Sequence, residues 1–203
     1  MWKFIFRAAL GTAIVAGVIV GILRAFFVTP VNITHNGMAP TLLAGEQAYM
    51  WRGGTPELGA IVLCTHPSTG EAVIGRVVGI PGVTIATERE QLTVDGRTLD
   101  IDYLESITFQ NSDTGRQENV QLAEITMGNT THDAMFRDNY RLRITPVSVS
   151  GTQRFLMGDN RADDQHDSRA FGTVDANTCL GTLFMRGEPR SAVGIDHGWL
   201  DLL

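Results

Sequence analysis

The chain has 203 residues, 43% hydrophobic and 19% charged, enough for one domain with a real core and tight for two. Sixteen Lys and Arg against 22 Asp and Glu leave a formal net charge of −6 without a basic run, which argues against nucleic acid as a partner. Every basic residue except Lys3 is an arginine.

The first element is apolar. Residues 8–23, "AALGTAIVAGVIVGIL", carry no charge, and a helix of that length rises about 24 Å. Arg7 and Arg24 bracket the run and can reach opposite interfaces, and Phe4, Phe6, Phe26 and Phe27 supply aromatic anchors, so residues 4–28 are long enough for a transmembrane helix in a lipid bilayer. A cleavable signal peptide is the rival, but "RAFFVTP" offers no small-x-small cleavage site. Lys3 and Arg7 precede the span, which favours a cytoplasmic N-terminus. The expected division is a stub and anchor at 1–28 and an extracytoplasmic domain at 29–203.

After Pro30 the pattern changes to short apolar stretches broken by Gly, Pro, Asn and Asp, a strand-and-turn signature. Residues 59–66, 71–80, 83–88, 91–101, 140–149 and 154–159 fit strands, with Asp95 and Gly96 as a tight hairpin turn. The polar stretch 105–138 reads as an insertion with weak strands of its own. No helix of twelve or more residues is expected after the anchor, so the fold class is mainly β, built from short antiparallel strands behind one N-terminal transmembrane helix.

Cys64 and Cys179 are either one disulfide in an oxidising compartment or two buried thiols. No Cys/His spacing has the form of a ligand set, so no metal and no cofactor is expected, and the scattered His35, His66, His132, His166 and His197 read as solvated or locally hydrogen-bonded.

Three segments in fixed order carry a resemblance: "GMAPTLLAGE" at 37–46, "GRVVGIPG" at 75–82 and "MGDNRADDQHDSRAFG" at 157–172. With the N-terminal anchor they resemble the type I signal peptidases, membrane-bound serine proteases that remove signal peptides from exported proteins. The resemblance implies a bacterial cytoplasmic membrane location. It sets the family's nucleophilic serine on Gly37, its lysine base on Gly75, and its side-chain oxyanion donor on His35. That mechanism needs a hydroxyl whose proton passes to a neutral lysine, and glycine supplies neither group. The serine that supports the lysine is replaced within "RADDQHD". The only local substitutes are Thr41, or Thr34 beside His35, and neighbours on a strand point to opposite faces.

What survives of the family pattern shapes the frame: Pro40, Thr41, Arg76, Gly79, Pro81, Gly82, Gly158, Asp159, Asn160, Arg161, Asp167, Arg169 and Gly172. Asp167 and Arg169 are expected to pair and tie the third segment to the core. The family's groove, where an extended peptide adds as a strand, falls between residues 31–35 and 71–74, with Val31, Ile33, His35, Met38, Ala72, Val73 and Ile74 as its contacts. The leading expectation is therefore a proteolytically inactive signal-peptidase-like protein binding secreted preproteins or pilin-like polypeptides at the outer membrane surface. Its alternatives are an active signal peptidase with a rewired site and a structural β-module without a peptide ligand.

Overall fold

The apolar N-terminal run forms α1 (Trp2–Phe27), a helix of 26 residues, and ends where Pro30 forces its neighbour Thr29 into extended backbone. The structure, a computed structural model, describes residues 2–187, 191–192, 195–197 and 202–203. Ile5, Phe6, Leu10, Ile14, Val15, Val18, Ile19 and Val20 of α1 point outward, and Phe27 stacks on Trp51 with ring centroids 5.3 Å apart. The side chains of Lys3, Phe4 and Arg24 lie outside the described residues. Among the described residues no helix is long and apolar enough to cross a membrane, so the expected anchor rests on the sequence of the whole span.

The strands follow in chain order: β1 (Val28–Asn32), β2 (Gln47–Arg52), β3 (Ile61–Thr65), β4 (Ala72–Gly79), β5 (Thr84–Glu88), β6 (Gln91–Val94), β7 (Arg97–Thr98), β8 (Asp100–Asn111), β9 (Arg116–Met127), β10 (Thr130–Arg137), β11 (Val147–Ser148), β12 (Gln153–Met157), β13 (Val174–Asp175), β14 (Gly181–Arg186), β15 (Ser191–Ala192) and β16 (Ile195–Asp196). A four-residue helix, α2 (Ser168–Phe171), precedes β13. The main sheet runs β1-β2-β14-β3-β4-β12-β13, every pair antiparallel. Pro30 is tolerated because β1 is the edge strand, where a missing N–H costs no ladder bond.

β4 is central and covered on both faces. Val73 and Val77 pack with Val62, Cys64, Leu156 and Val174, while Ile74 packs on the cluster of Ile33, Met38, Met50, Ile61 and Leu63. A second sheet, β11-β5-β6-β7, closes over Val78, Ile85, Leu92, Phe155 and Met157. Its hairpin turns on Asp95 and Gly96, both at positive φ, as the tight turn requires.

Strands occur at 59–66, 71–80, 83–88 and 154–159 as the alternation indicates, but at 140–149 only Val147 and Ser148 pair. Pro146 has no N–H to donate, and Leu142 and Ile144 reach the core from irregular backbone. The polar stretch makes a three-stranded meander, β8-β9-β10, whose two longest strands each run 12 residues. Its inner side chains Phe109, Val120, Ala123 and Ile125 are buried, so it has a packing face that its polar composition conceals.

Cys64 and Cys179 form a disulfide that ties β3 to the segment entering β14.

Candidate functional site

The third segment begins where β12 ends, and its first polar residue is wholly buried. Asp159 accepts two hydrogen bonds from Arg76, at 2.8 Å from Nε and 2.6 Å from Nη2, and one from Thr41 Oγ1 at 2.6 Å. Arg76 Nη1 donates to the Gly59 carbonyl at 2.8 Å. Burial alone would raise the Asp159 carboxyl, but attraction and hydrogen bonding from Arg76 prevail and hold it below the ordinary aspartate value. His132 faces the same carboxylate, and burial, with Arg76 and Arg161 nearby, pushes it down to about 4 despite Asp159. Its Nε2 lies 3.2 Å from Nη2 of the fully buried Arg161, an arrangement suited to a neutral imidazole that accepts. One carboxylate thus joins β4, the segment after Pro40, and the β12 exit.

Asp167 performs the expected tie. Its carboxylate accepts from the Gly158 amide at 3.0 Å, caps α2 through the Arg169 amide, and pairs with the Arg169 guanidinium at 2.6 Å. Arg169 also donates to the carbonyls of Arg161 and Asp163 and to the Tyr140 hydroxyl, so the loop from residue 161 to 167 is wound around one guanidinium.

Gly158 lies against the turn that holds Gly37. A Cβ on Gly158 would overlap the Gly37 carbonyl oxygen, 2.3 Å away, so only glycine permits this approach. The Gly37 carbonyl accepts from the Asn160 amide at 3.1 Å, and Asn160 Nδ2 donates to the Asn36 carbonyl at 3.2 Å. Gly75, in β4, is backed by the same segment: a Cβ there would meet Leu156 Cβ at 3.0 Å and the Met157 carbonyl at 3.6 Å. The short 3-10 turn Asn36–Met38 packs against β4. Both glycines therefore flank the β12 exit.

The space beside Gly37 is filled. His35 turns its ring back so that Nδ1 accepts the Gly37 amide at 3.0 Å, and a Cβ on Gly37 would lie 2.8 Å from that nitrogen and 3.3 Å from Asp163 Oδ2. His166 stacks on His35 with centroids 4.2 Å apart, and its Nδ1 is 2.8 Å from Asp163 Oδ2. Burial, then the neighbouring His166, lowers the His35 pKa. From the other side Asp113, at the tip of the β8–β9 hairpin, accepts the Asn36 amide at 2.6 Å.

These residues open on a cleft of about 430 Å³ lined by Thr34, His35, His66, Glu71, Ala72, Val73, Gln165, His166 and Phe171. Residues 34–35 and 71–73 both contribute to its lining. β12 pairs with β4 only over Arg76, Val77 and Gly79, so the edge of residues 72–75 on that side has no ladder partner among the described residues. Of the seven expected groove contacts, His35, Ala72 and Val73 line the cleft. Val31 and Ile74 are half-buried against the core, and Ile33 and Met38, at 3% and 1% exposure, are core beneath the cleft and not its wall. A larger cleft of about 650 Å³, between Pro40, Thr41, β9, β10 and the C-terminal residues, contains neither glycine.

His35, His66 and His166 make the local hydrogen bonds expected of them, to Gly37, to the Ser68 and Thr69 amides and to Asp163, but two histidines depart from that role. His132 is buried against Arg161, and His197 bridges Glu46 Oε1 at 2.6 Å and the Pro40 carbonyl at 2.7 Å, binding the chain end to the first motif. Asp163 and His166 were not singled out by sequence. They stand within "RADDQHD", where the altered loop was visible but its partner His35, 131 positions from His166 by residue number, was not.

The comparisons agree with the segment order. A protein-family model, "Signal peptidase, peptidase S26", matches residues 6–187. Signal peptidase IB of Staphylococcus aureus is 29% identical over 184 residues, covering 87% of this chain and 86% of that protein. Signal peptidase I of Bacillus licheniformis is 26% identical over 173 residues, covering 83% and 81%. Among solved structures, a signal peptidase I from Enterococcus faecalis V583 matches at 25% identity with a TM-score of 0.39, covering 64% of this chain and 97% of that one. A family match over nearly the whole length, joined to three ordered motifs that meet around one buried carboxylate, means that this chain belongs to the signal peptidase family, peptidase S26.

Proposed function

We propose that this chain is a non-catalytic member of that family that binds extended segments of exported polypeptides, secreted preproteins or pilin-like chains, without cutting them. The observation that carries the reading is the space beside residue 37. The family's hydroxyl would project there, and an imidazole and a carboxylate fill it, 2.8 Å and 3.3 Å from where a Cβ would stand. The base position is Gly75, with no titratable group, and Lys3 lies at the start of α1, before the β-domain. Binding asks less than catalysis: a cleft along an unpaired strand edge suffices for strand addition.

In this reading residues 1–28 anchor the chain in the bacterial cytoplasmic membrane with the N-terminus inside, and residues 29–203 work on the outer face, with 105–138 as an insertion. A helix of 26 residues rises about 39 Å, more than a hydrocarbon core needs. The Cys64–Cys179 disulfide agrees with an oxidising, extracytoplasmic compartment.

One observation favours a second reading. His166 and Asp163 make a base and an orienting carboxylate, and Thr34 lines the same cleft as His166, whereas Thr41 is bonded to Asp159. Incubating the full-length chain with a preprotein bearing an Ala-x-Ala site separates the two. The binding reading expects no product of mature length; product that disappears in Thr34→Ala and His166→Ala would establish cleavage by a rewired site instead.

A further inference from the structure

We infer that His35, Asp163 and His166 form a binding site for one divalent transition-metal ion of the zinc class, seated beside Gly37 at the head of the cleft. The inference goes beyond the peptide-binding reading and does not depend on it.

The three side chains each present a ligand atom, and these atoms all lie within 4.8 Å of one another. Around a tetrahedral ion with bonds of about 2.0–2.2 Å the ligand atoms stand about 3.3 Å apart, so side-chain adjustment of about an ångström closes the set. Two imidazoles and one carboxylate are the donors that zinc and its neighbours prefer, whereas calcium and magnesium take oxygen. Two of the three ligands, His35 and His166, line the open cleft, and a set of three protein ligands leaves a coordination position toward it, for water or a carbonyl oxygen.

The cluster is built rather than incidental. Its members come from two remote parts of the chain, the approach to the Asn36–Met38 turn and the loop wound around Arg169. The Arg169 guanidinium holds the Asp163 carbonyl at 2.6 Å, fixing the loop that carries both Asp163 and His166. Glycine at residue 37 is a condition of the arrangement, because any side chain there would compete with the His35 ring for the same volume. His35 Nδ1 already accepts the Gly37 amide, so the neutral ring carries its proton on Nε2. An ion must displace either that proton or that amide, and loading the site should therefore disturb the Gly37 backbone itself.

The test uses the full-length chain in detergent, stripped of metal with a chelator and titrated with Zn2+ by calorimetry and with Co2+ by visible absorption. One equivalent should bind, with Co2+ giving the d–d bands of a low-coordinate site, and Zn2+ should shift the Gly37 amide resonance. His35→Ala, Asp163→Asn and His166→Ala should each weaken binding at least about tenfold. Gly37→Ala should weaken it too. His66→Gln should not, because His66 shares the cleft but is held by the Ser68 and Thr69 amides and packs at a tilt against the Phe171 ring. His166 is half exposed, so its replacement leaves the fold intact and its result can be read alone. Absence of saturable binding to the unmutated chain, binding that survives His166→Ala, or binding lost equally in His66→Gln would overturn the assignment.

Discussion

The imidazole of His35 and the backbone of Gly37 exclude a side chain from each other's space: Nδ1 accepts the Gly37 amide at 3.0 Å and would lie 2.8 Å from a Cβ added to it. Restoring a serine at residue 37 alone therefore forces the ring out. Gly37→Ser should cost about 1–3 kcal/mol, as overpacking of a filled site does, and His35→Ser with Gly37→Ser should recover most of it. Urea unfolding of the four members of the cycle measures the coupling. Additive effects within about 0.5 kcal/mol would mean that the ring moves aside freely.

The Arg76–Asp159 pair is the second relationship on which the frame depends. Both groups are buried, and Thr41 and the Gly59 carbonyl complete their hydrogen bonding. Removing one partner strands the other charge, so Asp159→Ala should destabilise by about 3–5 kcal/mol. Arg76→Met combined with Asp159→Leu should cost less than the two single losses together. Equal or larger loss in the double variant, measured by the same unfolding assay, would assign the pair a different role.

Much of this frame was legible in sequence because it is made of local signals in fixed order. The Asp95 and Gly96 turn and the pairing of Asp167 with Arg169 two residues on are short-range devices, and each stands as the pattern implied. The strands β1, β2 and β14 went unread. β1 carries a proline, and β2 buries only Ala48 and Met50 between half-exposed neighbours. At the site, Gly37 and Gly75 stood out as absences, but an absence does not say what occupies the space. His35 meets His166 only through the return of β12, and His197 reaches Glu46 across 151 residues; no spacing rule connects such pairs. Ile33 and Met38 belong to one core cluster and do not line the cleft, a burial that their apolar character alone does not distinguish from a groove wall.

Acid should loosen the protein in a window set by His132. Burial holds its imidazole at about 4 against an ordinary 6.5, with Arg76 and Arg161 acting the same way and Asp159 opposing. The folded state binds this proton more weakly than the unfolded chain. The stabilisation is thus complete above about pH 6.5 and is lost as pH falls toward 4, with a ceiling on the order of 3 kcal/mol. His35, also lowered by burial, contributes in the same direction, and Asp159, lowered from 3.8, adds its loss only at more acid pH. His132→Gln should flatten the dependence of the urea midpoint between pH 6.5 and 4. Identical slopes in the variant and the unmutated chain would remove His132 as the cause.

The disulfide closes a separation of 115 residues, and constraining the unfolded chain over that span is worth at most about 5 kcal/mol. Cys64→Ala with Cys179→Ala should lower stability by a few kcal/mol while preserving the sheet, because β3 keeps its pairing with β14 and β4. Unchanged unfolding under reducing and oxidising conditions would show that the bond does not form in solution.

The central claim is that the cleft holds an extended exported polypeptide and leaves it whole. A photoreactive amino acid in place of Ala72, an exposed residue on the cleft wall, reads both halves in one experiment when the full-length chain in membranes is illuminated with a preprotein carrying an Ala-x-Ala site. The account predicts a light-dependent adduct whose mass is that of this chain plus the uncut preprotein. The adduct should be absent when the probe stands at Gln91, which is exposed on the other sheet. Preprotein trimmed to mature length, or no more adduct at position 72 than at position 91, would contradict it.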